Sequence, residues 1–220
     1  MKGKLVPICI LMLLITMIYP ISISAGDEEN PEIIDNHNDQ FGALVEYPTR
    51  IRTKIARILL QTESFDFIDI DSAWFYENEL DSNHLYVTLK LKDLKITSQR
   101  AIYSIHWTFN DVTYAVGSHL YNNGKNVSCF AGLDRRFNRD WQPAEVSYDF
   151  DNDIITFKID KKQIGDPQQG DMLTNTFAWT ALRFNHESLS LLFSDGELVK
   201  DGAPFIESHD DYGLDYILKY

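Results

Sequence analysis

The sequence predicts an all-β fold, an antiparallel β-sandwich of jelly-roll or immunoglobulin-like layers, with a short N-terminal helix in front of it. Three observations point there. From Asp66 onward, apolar residues recur with period two. The alternating runs are short and separated by turn residues, as in strands joined by hairpins rather than by crossover helices. At 220 residues, with 44% hydrophobic and 13% aromatic content, the chain can fill a two-layer core.

Residues 1–25 stand apart from that domain. Met1-Lys-Gly-Lys4 is a basic start, Leu5 to Ile23 is almost wholly apolar, and Ser22-Ile-Ser-Ala25 offers small residues before the acidic Asp27-Glu-Glu29. This is the pattern of a secretory signal peptide, or of an N-terminal membrane anchor if it stays uncleaved. Either reading makes the rest secreted or places it on the extracellular face of the cell membrane. Cleavage would remove Lys2 and Lys4 and no acid, moving the formal charge from -13 to -15. So acidic a chain is not built for nucleic acid, which needs a basic surface, and membrane contact is expected only through the N-terminal segment. Loss of Cys9 would leave Cys129 without an internal disulfide partner. In Val127-Ser-Cys-Phe-Ala131 that thiol reads as a small buried hydrophobe rather than a reactive group.

Residues 26–48 open with "GDEENPEIIDNHNDQ" and read as an acidic flexible spacer. In residues 49–63, apolar Ile51, Ile55, Ile58 and Leu59 have helical spacing, so a short amphipathic helix is expected there. Residues 64–220 then form the sandwich. His84 to Lys92 puts Leu85, Val87, Leu89 and Leu91 on one face and Tyr86, Thr88, Lys90 and Lys92 on the other. Between Tyr103 and Gly117, Asn110-Asp111 is the expected hairpin turn, which pairs 109 with 112, 107 with 114 and 105 with 116. Tyr103, Ile105, Trp107, Phe109, Val112, Tyr114 and Val116 then share a core face. Ser104, His106, Thr108, Thr113, Ala115 and Gly117 form a small, polar floor opposite, covered by water or by a ligand. Ala144 to Asp160 reads as two strands around Asp151-Asn-Asp153, and further strands are expected near 66–76, 127–133, 176–184, 189–193 and 214–219.

No catalytic signature accompanies this pattern. Asp149-Phe-Asp-Asn-Asp153 begins like a calcium loop, but Ile154 stands where Gly is needed and Asp160 where Glu is needed. The six histidines lack zinc-site spacing, and no nucleophile elbow, phosphate loop or dinucleotide fingerprint occurs. A hydrolase built on two scattered carboxylates is a conceivable arrangement, but no pair is singled out. Asp69 and Asp71, in "FDFIDIDSAW", are candidate calcium ligands because two carboxylates on one strand face repel without a cation. Trp141 lies beside Arg135 and Arg139, a combination that stacks on a sugar and hydrogen-bonds it, or that closes one end of the sandwich with the arginines paired to aspartates. Trp179 shares its strand face with Phe177, Ala181 and Arg183, either core or groove floor. His106 with Thr108 and Thr113 is the competing patch. Asn126-Val-Ser128 is the one N-glycosylation sequon.

Taken in order, "DFIDIDSAWFYENE", "HLYVTLKLKDL", "YSIHWTFNDVTYAVG", "ITFKIDKKQIGDPQQGD" and "TFAWTALRF" resemble DOMON-like sandwiches, extracellular domains similar to carbohydrate-binding family 9. The resemblance covers about residues 64–195. It implies a domain that binds sugars between aromatic residues, or haem through Met and His, often with structural calcium. For this chain a sugar clamp would need Trp141 and Trp179 to face each other, and haem would need Met172 opposite a histidine. The reading expected is a non-catalytic surface module for a glycan or another cell-envelope component. The alternatives are a structural or protein-docking domain and, third, a haem-binding electron-transfer domain.

Overall fold

Alternation makes the strands, and turn chemistry sets how they pair. A computed structural model describes residues 26–35, 66–96, 100–121, 124–134, 141–183, 197–204 and 212–220. In chain order its strands are β1 (Ile33–Ile34), β2 (Ile70–Tyr76), β3 (His84–Leu91), β4 (Arg100–Phe109), β5 (Val112–Tyr121), β6 (Asn126–Leu133), β7 (Trp141–Pro143), β8 (Glu145–Asp149), β9 (Ile154–Asp160), β10 (Met172–Arg183), β11 (Glu197–Ala203) and β12 (Tyr216–Ile217). They form two antiparallel sheets, one ordered β1-β2-β3-β9-β8 and a larger one ordered β11-β10-β4-β5-β6-β7, with β12 added to β10. Helical structure among the described residues is confined to short 3-10 turns, and none of it is long and apolar enough to cross a membrane. The helix expected over 49–63, the strand expected near 189–193 and residues 36–48 of the expected spacer lie outside the described residues.

The β4–β5 hairpin forms as its turn residues dictate. Asn110 and Asp111 both take positive φ, 50° and 59°, which matches the strand twist and leaves no slack in register. Phe109 faces Val112, Trp107 faces Tyr114 and Ile105 faces Val116. Trp107 is fully buried, with its ring edge-on to Phe75 at 5.6 Å. Leu85, Val87, Leu89 and Leu91 of β3 and Ile155, Phe157 and Ile159 of β9 belong to the same buried cluster from the other sheet. Burial of such a side chain stabilises by about 1.5–3 kcal/mol. Two tyrosine hydroxyls lace the layers together: Tyr103 donates to Phe67 O at 3.1 Å and Tyr148 donates to Ser118 Oγ at 2.8 Å. Cys129 is half-buried against this core, and burial pushes its thiol up to about 12.

Where a flexible spacer is expected, residues 26–35 are docked. Ile33 pairs with Ala73 and Ile34 with Ser72, and Ile33 is fully buried, so one apolar residue in an acidic run anchors an edge strand. The buried Glu32 carboxylate accepts the Phe75 N–H at 2.9 Å, while Glu32 O accepts the Leu214 N–H at 2.6 Å. Register also separates the two candidate calcium ligands. The β2–β3 pairing shifts between Ile70 and Ser72, and Asp69 is buried while Asp71 is exposed.

Candidate binding face

The outward side of the larger sheet gathers most of the residues singled out above. The register aligns Trp179, Ser104, Gly117 and Phe130 in one row across β10, β4, β5 and β6. The next row runs Phe177, His106, Ala115, Gly132 and Trp141, ending on β7. Each row is aromatic at both ends and small in the middle. Strand β10 is three strand spacings from β6, which bears Phe130, and four from β7, which bears Trp141, about 14 and 19 Å.

One wall is a stacked pair. The half-exposed Trp141 ring lies on Phe130 with centroids 3.8 Å apart and planes 5° apart, and His119 meets Phe130 edge-on at 5.3 Å. The Phe130 ring leans over Gly117, where a Cβ would meet it at 3.0 Å and Tyr103 O at 2.8 Å. An aromatic floor plate therefore needs glycine at 117. The indole is braced on one face before any ligand arrives.

The other wall is built around His106, which is 6% exposed. Phe177 stacks on the imidazole at 4.5 Å and 11°, and the Trp179 indole N–H donates to Nε2 at 2.7 Å. Asp134 Oδ2 lies 3.0 Å from Nδ1, brought there by the Asp134 N–H that bonds Thr113 O at 2.9 Å. An indole nitrogen only donates, so Nε2 is the bare nitrogen of the ring and the proton sits on Nδ1, toward the carboxylate.

Ser104 Oγ also lies 2.8 Å from His106 Nε2, which completes a Ser–His–Asp sequence of contacts. The resemblance to a nucleophile and its base stops at the lone pair. Nε2 has a single in-plane lone pair, already taken by Trp179, and the Ser104 hydroxyl donates to Val116 O at 3.2 Å. Ser104 is also only 2% exposed. In this arrangement His106 orients Trp179 rather than activating Ser104.

Of the residues expected from sequence, Trp141, Trp179, His106, Thr108 and Thr113 share this one face, with Thr108 paired to Thr113 at its edge. Trp179 is half-exposed on the outward side rather than in the core. Arg183 takes the register position opposite Arg100, and Asn126 opens β6 opposite Tyr121. Arg135 and Arg139 lie outside the described residues. Phe130, His119 and Asp134 were not foreseen. For Phe130 a signal existed, since the alternation of β6 sets it on the opposite face from Cys129 and Ala131. Met172, half-way out into solvent at 44% exposure, stands at the far end of β10 from Trp179 and Arg183, and both ring nitrogens of His106 face other groups.

Two other places hold functional groups. A cavity of about 190 Å³ opens among His84, Pro143, Glu145, Lys158, Asp160 and Gln163, smaller than the roughly 300–1,000 Å³ of ordinary ligand pockets. An oxygen from each of Asp35, Asp69 and Asp201 lies within 4.8 Å of the others. Burial pushes the Asp201 carboxyl up to about 7, and the neighbouring Asp35 and Asp69 charges act in the same direction. Asp71 is not part of that group. Comparison with protein-family models, with curated proteins and with solved structures finds no match for the chain.

Proposed function

We propose that the chain is a non-catalytic binding module exported through its N-terminal segment, and that it holds a carbohydrate of the cell surface on the outward face of the larger sheet. The observation that carries this reading is the pair of rows with aromatic ends: Trp141 and Trp179, both half-exposed, stand on one face, with the buried residues Ser104, Ala115, Gly117 and Gly132 in the rows between them. Sugar rings present flat apolar faces edged by hydroxyls. A braced indole meets the face, and Thr108 and Thr113 offer hydroxyl groups to the edge. The stacking of Trp141 on Phe130 and of Phe177 on His106 lowers the ordering cost on binding.

A glycan array probed with the chain tests the reading. Binding to a defined set of glycans is expected, weakened at least about two- to twelvefold by Trp141→Ala, the loss of a ring contact worth about 0.5–1.5 kcal/mol. An array that stays dark with protein shown to be folded would favour a structural or protein-docking module instead.

A further inference from the structure

Three carboxylates from distant parts of the chain converge at one edge of the gap between the sheets. Asp35 follows β1, Asp69 precedes β2, and Asp201 belongs to β11 of the opposite sheet, where it pairs with the inward-facing Thr180. Asp69 and Asp201 are buried, at 1% and 3% exposure. Each gives one oxygen to a fixed donor: Asp69 Oδ2 accepts from Lys92 Nζ at 2.9 Å, and Asp201 Oδ2 accepts the Ile70 N–H at 2.7 Å. The second oxygens, Asp69 Oδ1 and Asp201 Oδ1, are buried without a hydrogen-bond partner among the described residues. Buried carboxylate oxygens are seldom left that way, because a lone pair stripped of water and given nothing in return is costly.

We propose that this cluster binds one divalent cation of the hard, oxygen-preferring class, calcium in particular. Charge favours a divalent ion: among the described residues three carboxylates converge, and Lys92 forms an ion pair with one of them, Asp69. Donor chemistry selects the class, since the group offers oxygen with no thiolate or imidazole among it. Calcium accepts carboxylates and waters in irregular sets of six to eight, whereas magnesium requires near-octahedral geometry. The ion would join the docked N-terminal segment, the start of β2 and the inner face of β11, so it acts as a clamp across the sandwich. It is set into the gap between the sheets, away from the outward face, and stands or falls separately from the carbohydrate reading.

The experiment is a calcium titration by calorimetry on the full chain after treatment with a chelator, with thermal unfolding followed in EDTA and in millimolar CaCl2. One ion per chain is expected, with Tm rising at each tenfold step of calcium above Kd. Asp69→Asn and Asp201→Asn should each weaken binding by more than about tenfold, and Asp71→Asn should leave it unchanged. The competing way to satisfy the orphan oxygens is a proton on Asp201. In that case wild-type protein gives no binding heat, its Tm is the same in EDTA and in calcium, and Asp201→Asn raises it, which overturns the proposal. Calcium binding that survives both buried substitutions undiminished overturns it as well. The wild-type titration decides the matter even if a variant fails to fold.

Discussion

At the scale of single residues, Gly117 shows how room for an aromatic ring is made from the absence of a side chain. A methyl group there would sit 2.8 Å from Tyr103 O, which is backbone and cannot swing away, and 3.0 Å from the Phe130 ring. Gly117→Ala is therefore expected to destabilise by about 1–3 kcal/mol, as overpacking does. Chemical denaturation gives that number. Because Phe130 supports Trp141, the proposed carbohydrate reading expects the same variant to bind glycan more weakly. Trp107 and Trp141 make the complementary point: the first was legible as core because a hairpin register decides it from local alternation alone. Trp141 was legible only as an aromatic with two readings, because its partner Phe130 is on a different strand.

At the scale of elements, the β4–β5 hairpin is the piece of this fold most fully written in local sequence. Alternation over ten residues on each side of Asn110-Asp111 names both faces, and a one-residue slip would turn every core side chain outward. The turn is still not optimal. Asp111 holds φ at 59°, a left-handed conformation that costs a non-glycine residue roughly 1–3 kcal/mol, while glycine would give back about 0.5–1 kcal/mol in chain entropy. Asp111→Gly is expected to stabilise by about 0.5–1 kcal/mol, seen as a higher urea midpoint at unchanged slope. Other pairings were out of reach of such reasoning. Ile70 and Asp201 are 131 residues apart, and no local period reports that a carboxylate from β11 will meet the start of β2. The docking of Ile33 is similar: an isolated apolar pair in an acidic run looks like spacer until a sheet edge is there to receive it.

At the scale of the whole molecule, the gap between the sheets is closed by groups that must stay protonated. Burial pushes the Tyr148 phenol from 10.0 up to about 12, with the bond to Ser118 opposing, and the Cys129 thiol from 9.0 up to about 12. Both are acids whose neutral form the fold prefers. Their contribution is whole below about pH 9 and is lost as pH rises toward 12, at up to about 1.4 kcal/mol per pH unit for each group. Urea midpoints should thus fall between pH 9 and 11, and fall less in Cys129→Ala. In the folded chain Cys129 should react with thiol reagents at pH 8 far more slowly than in urea, because thiolate is the reacting form.

The segments at the two extremes of the described chain lie against each other. Gly26 rests on Phe75 O and the Tyr216 ring, and Glu32 stands between Phe75 N and Leu214 N. The segment that leads into β1 and the segment that leads into β12 are thus neighbours in space, though these are the first and last of the described strands. The first and last described segments therefore hold each other in place, so that losing either one would loosen the other.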